Sequence, residues 1–208
     1  MAVSSSSPAV AARCAHAKAG VGVVGSQNIT DPRLGPKILL AMAEGRSAPE
    51  AVKMIINAAE NADFRQVLAV DVTGNTAIYS GSKSLDIHAD FASQNAAAAG
   101  NLLANSNIPK AMVTAFHQGT GHLGDRLIDA MRVALALGGE VGALHSAGLL
   151  LVGEQEWPMA DLRCDWTEDC PIEVVAAAWH IYKPQIDDYI TRALDPAKAP
   201  GYGVPGDE

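Results

Sequence analysis

Ser26, Gln27 and Asn28 stand side by side where an apolar, glycine-studded run, Gly20-Val-Gly-Val-Val-Gly25, gives way to polar side chains. Asp31 and Pro32 follow and open a helix. A buried strand that ends in hydrogen-bonding groups, ahead of a turn and a helix, is where α/β proteins keep much of their chemistry. These three side chains could bind a substrate, or they could form a turn that caps the helix starting at Asp31. His145 precedes an apolar strand with Ser146 beside it; neighbours on a strand point to opposite faces, so the pair is no triad by itself. Cys14 reads as a small buried hydrophobe, because no neighbouring pattern argues for a thiolate.

Other chemistries are disfavoured. Gly20, Gly22 and Gly25 match G-x-G-x-x-G, a fingerprint that works only between a strand and a helix N-terminus holding a pyrophosphate. Here the glycines lie inside the strand-like run, so they read as residues that let neighbouring elements approach, and no cofactor is expected. The six histidines form no H-x-H or H-E-x-x-H and no carboxylates cluster, so no metal is expected. A net charge of −8 supplies no basic stripe for nucleic acid or anionic membranes. No apolar stretch reaches the roughly 18 to 20 residues of a membrane span. Three cysteines without a C-x-x-C pair, behind a start that is no secretory signal, point to a reducing cytoplasm.

The elements that must position these residues follow from periodicity. Residues 2–7 read as a strand, 9–18 as helix or a compact turn, and 20–28 as a strand. Asp31 and Pro32 begin a helix that buries Leu34, Ile38, Leu39 and Met42 and ends at Gly45. Ser47 and Glu50 have capping-box spacing ahead of a helix with Val52, Ile55, Ile56 and Ala59 on one face. Residues 66–72 alternate, with Leu68, Val70 and Val72 on one face, and pair through a Thr73-Gly74-Asn75 turn with 76–80. A weaker strand covers 91–95, and 96–101 is ambiguous between strand and helix. Asn107 caps a helix with Met112, Val113 and Phe116. His122 to Leu137 is amphipathic and stops at Gly138-Gly139. The continuous apolar run 147–152 suits a central strand, 159–165 alternates again, and Asp169 opens a helix kinked at Pro184. The 208 residues suit one domain over 1–195 with a Pro/Gly-rich arm over 196–208.

Strand blocks with helices inserted in pairs suit an α+β fold, a four-layer α-β-β-α sandwich with antiparallel sheets. The sequence resembles the uncharacterised Ntn-hydrolase-like family catalogued as domain of unknown function ten twenty-eight. The matching stretches are Ala2 to Ser7, Ala19 to Asn28 running into Asp31-Pro-Arg-Leu-Gly35, Arg65 to Asp71, Gly100-Asn-Leu-Leu103, His145-Ser-Ala-Gly-Leu149 and Asp161-Leu-Arg163. Together and in order they cover nearly the whole chain.

The resemblance implies amide-bond hydrolysis by an N-terminal Thr, Ser or Cys whose own α-amine is the base. The oxyanion is then held by backbone or Asn donors. Asn101 becomes a candidate donor, or else a turn amide; Gln66 opens a strand and could reach the same cleft. Ser5 and Ser7 lie on the strand that lines the cleft in that superfamily. With Ser26, Gln27, Asn28 and His145 they make the expected substrate-binding set. The family carries one more strand before the position of Ala2, and Met1-Ala2 offers no nucleophile. Two expectations follow. One is an amidohydrolase for a small amide or short peptide, its nucleophile outside this chain. The other is a non-catalytic protein on the same fold that binds a small ligand or serves as a homodimeric scaffold.

Overall fold

The first strand, β1 (Ala2–Ser5), lies at the edge of a three-stranded antiparallel sheet beside β8 (Ser146–Val152), which is flanked in turn by β9 (Pro158–Cys164). The coordinates are a computed structural model that describes residues 1–201, 203 and 204. A second sheet runs β2 (Ala15–Lys18), β3 (Gly22–Gln27), β4 (Gln66–Asp71) and β5 (Thr76–Ser80) in that order, all antiparallel. A hairpin of β6 (Ala89–Ser93) and β7 (Ala96–Gly100) completes the strands described. The fold is α+β with antiparallel sheets.

Side-chain alternation sets what each sheet buries. In β3 and β4, Val24, Val67 and Ala69 share one face, which packs on α2 (Leu34–Ala43) and α3 (Ala48–Asn57) through Ile38, Met42, Ala51 and Val52. Leu68 and Val70 share the other face, as their alternation predicts, and it is half-exposed and lines a cavity, while Val72 lies beyond the strand and is exposed. In the first sheet Ala147, Leu149 and Leu151 pack on α5 (Leu123–Ala136) and α6 (Pro171–Tyr182) through Ile128, Met131, Ile172, Val175 and Trp179. The alternate residue Gly148 admits α1 (Val10–Cys14): a Cβ there would stand 2.5 Å from the Cβ of Ala11. α4 (Ile108–Gln118) packs on the β6–β7 hairpin and on α5.

Several expectations are sharpened. The capping box at Ser47 and Glu50 forms as written, with Ser47 N and Oγ both donating to Glu50. The regular helix expected from Asp31 begins at Leu34, and Asp31 closes the turn before it, its carboxylate accepting from Arg33 N and from the Arg33 guanidinium. Residues 15–18 are a strand rather than a continuation of the preceding helix, and 96–100 resolve as strand. The last helix begins at Pro171 after Cys170, and the chain bends through a 3-10 turn at Lys183–Gln185 into α7 (Ile186–Leu194). Of the expected arm, Pro196–Lys198 is a 3-10 turn, and residues 202 and 205–208 lie outside the described residues. No helix among the described residues is long and apolar enough to cross a membrane.

Candidate functional site

Beyond the end of β1, four pieces of chain converge: the turn after β3, the start of α1, the Gly100–Leu103 segment after β7, and Gly139-Glu140 after α5. They enclose a cavity of about 340 Å³ with a polar wall of Ser5, Ser7, Gln27, Asn28, Thr30 and Asn101. Arg13, Cys14 and Glu140 border it as well.

These groups differ in what they have left to offer. Asn28 is nearly buried, and both ends of its amide are used: Nδ2 donates to Phe64 O at 2.6 Å and Oδ1 accepts from Leu85 N at 2.9 Å. It is a strut of the wall. Ser5 Oγ accepts from Ser7 N at 3.0 Å, which leaves the Ser5 hydroxyl proton free to be donated. The Ser7 hydroxyl and the Asn101 amide make no hydrogen bond with any described residue. Glu140 accepts from the main-chain N and the hydroxyl of Ser6, so its carboxylate is engaged with β1's extension.

Gln27 is set by a chain of side chains running across the sheet. Its Nε2 donates to Gln66 Oε1 at 2.7 Å and to Ala99 O at 3.1 Å. Gln66 lies opposite it in the β3–β4 register and is fully buried. Its own Nε2 donates to Ser80 Oγ at 3.0 Å and to Gly100 O at 3.2 Å, and Ser80 Oγ donates to Asp90 Oδ2 at 2.7 Å. Burying a glutamine amide is tolerable only when its polar atoms are satisfied, and here three bonds do so. Gln27 also borders a second, apolar cavity of about 260 Å³ lined by Met1, Val23, Leu68, Val70, Ala98 and Phe116. Met112 and Met131 belong to both linings, so the apolar and polar compartments adjoin at Gln27.

The wall carries backbone strain. Asn28 and Ile29 have φ of 57° and 48°, left-handed conformations that a β-branched isoleucine adopts at a cost. They persist because Asn28 is clamped at both ends and Arg65 donates to Ile29 O. The titratable groups here are tuned for structure. Burial pushes the Cys14 thiol up against the smaller opposing effects of Thr30 and Arg13, so it is a poor thiolate. The hydrogen bonds from Arg33 hold the Asp31 carboxyl down at about 2.

The structure therefore gathers Ser5, Ser7, Gln27, Asn28 and Asn101 around one cavity. It does not bring Ser26, Gln66 or His145 into that lining. Ser26 is fully buried and its Oγ donates to Asp31 O at 2.9 Å, which fixes the turn. Gln66 lies behind Gln27 and orients it. His145, just before β8, stacks on Trp166 with ring centroids 4.1 Å apart and donates from Nδ1 to Thr167 O, so it is held at the segment after β9 and not at the cavity. Thr30 joins the wall from the same turn as Asn28, while Arg13 and Glu140 join it without any signal in the sequence, placed there by the folding of segments distant from that turn.

A family model described as "Family of unknown function (DUF1028)" matches residues 1–175. The crystal structure of a protein from Silicibacter pomeroyi, described under the same family, superposes with a TM-score of 0.78 at 26% identity. That likeness covers 88% of this chain and 81% of the other. No curated protein matches the chain.

Proposed function

The chain belongs to the family of unknown function DUF1028, and from that premise we propose that it binds a small amphipathic ligand in the paired cavities that adjoin at Gln27. One observation carries this reading. Polar groups with unused hydrogen-bonding capacity, on Ser5, Ser7, Gln27 and Asn101, face a cavity whose wall also holds Asn28, tied to the protein at both ends of its amide, and an apolar cavity opens beside it. A few convergent polar groups next to an apolar recess are what small-molecule sites offer. The apolar body of the ligand would fill the side of Val23, Leu68 and Phe116, and its polar end would meet Asn101 and the serines.

Binding is favoured over amide hydrolysis by the same groups. Neither Ser5, Ser7, Thr30 nor Cys14 shares a hydrogen bond with a base among the described residues, and a hydroxyl or a thiol raised by burial needs one to act as a nucleophile. The test is thermal unfolding with N-benzylacetamide, a neutral amphiphile with an aromatic body and a compact polar end. A ligand-dependent rise in Tm is expected, since a ligand that binds only the folded state stabilises it. Asn101→Ala should weaken the effect about fivefold, the worth of one hydrogen bond of about 1 kcal/mol. A flat Tm, or release of benzylamine during incubation, would contradict the reading.

A further inference from the structure

We infer that Gln27 presents its carbonyl oxygen to the cavities as a fixed acceptor, so that the site selects a ligand with an N–H donor, and specifically a neutral secondary amide. The inference rests on the binding reading above and adds the ligand's chemistry to it.

An amide side chain can ordinarily be turned end for end, but three groups that can only accept decide its orientation here. Asp90 accepts from Ser80 Oγ, so that hydroxyl has spent its single proton and must itself accept from Gln66. Gly100 O, a carbonyl, makes the same demand on the same Gln66 nitrogen. Gln66 Nε2 is thereby directed at these two groups and Gln66 Oε1 at Gln27. Ala99 O then demands the Gln27 nitrogen independently. Reversing Gln27 would set its oxygen against both Gln66 Oε1 and Ala99 O. Reversing Gln66 as well would set that oxygen against Gly100 O. The Gln27 nitrogen is used up, and its Oε1 accepts from no described residue.

A ligand at this junction must therefore bring a hydrogen to Gln27 Oε1. An ammonium group would lose hydration beside Val23, Leu68 and Phe116, while the one carboxylate in the polar wall, Glu140, is already engaged by Ser6. A secondary amide avoids that cost. It also brings a carbonyl for the free hydroxyl proton of Ser5 and the amide N–H of Asn101, so both of its polar atoms are served. An ester of the same shape would place a lone pair against Oε1.

The test compares N-benzylacetamide with benzyl acetate, which differ at the one atom of interest, by NMR titration of isotope-labelled protein. The amide should bind about tenfold more tightly, because a site built to receive a donor is left unpaired by its isostere. Gln27→Met should bring the two affinities to within about twofold of each other. Equal affinities in the unaltered protein would overturn the donor inference while leaving the site intact, a comparison that stands even if the variant fails to fold. Binding of neither compound would overturn the site itself, and the donor inference with it.

Discussion

Single residues in this protein act mostly by accepting or fixing protons. Asp71 is the clearest case away from the cavity. Its carboxylate accepts from Ala48 N at the start of α3, from Thr73 N and Oγ1, and from Asn75 N and Nδ2. Burial alone would raise this carboxyl, but those donors outweigh it and hold it at about 2 against an ordinary 3.8. Because the folded value is depressed, the stabilisation is complete above the unfolded value near 3.8 and disappears as pH falls through about 2. The shift corresponds to about 2 kcal/mol. Asp71→Asn should therefore be less stable than the parent by about that amount at pH 7, and the gap should close near pH 2. Urea unfolding at the two pH values reads this directly, and a gap independent of pH would show that Asp71 acts through packing instead.

Elements are joined by close approaches that small residues permit. α5 meets α6 at Gly124, where a Cβ would stand 2.4 Å from the Trp179 ring. That ring is nearly buried and is held by a hydrogen bond from Nε1 to Asp125 at 2.8 Å, so it cannot swing aside cheaply. Gly124→Ala should cost about 1 to 3 kcal/mol by forcing overpacking, with a change in Trp179 fluorescence. A variant as stable as the parent would mean that the two helices slide freely. This scale is also where sequence reading succeeded and failed. The capping box at Ser47, the amphipathic helix after His122 and the apolar strand at 147–152 are local patterns, and the structure has them. Ala15-His-Ala-Lys18 pairs with β3 as a strand although its local residues favour helix, and the alanines of β7 are recruited by pairing with β6; in both, tertiary pairing overrode propensity. Gln27 could be singled out because polar residues at a strand end stand out against apolar neighbours, whereas Asn101 and Gln66 become candidates only through the family resemblance and the amide donors it implies. The Gln66–Ser80–Asp90 chain could not, because it depends on the register of β3, β4 and β5 and on the hairpin lying against them.

At the scale of the whole molecule, the two sheets each turn one face to helices, and the cavities lie where the β6–β7 hairpin, α4 and the end of β1 close over the other side of β3 and β4. The apolar compartment borders β1 and α5 of one half and β3 and β4 of the other. A ligand there would touch both sheets, so its binding should stabilise the fold as a unit rather than one corner of it. The strained Asn28-Ile29 turn stands at the rim, where tertiary clamps hold it in a conformation that local energetics disfavour.

The most direct check of the central claim is the map of amide chemical-shift changes as N-benzylacetamide is added to the isotope-labelled protein. Changes should concentrate at Ser5, Ser7, Gln27, Ala99 and Asn101, extend to Val23 and Leu68, and include the side-chain amide of Gln27. Changes confined to the surface between α5 and α6, or none at saturating amide, would contradict a binding site at Gln27.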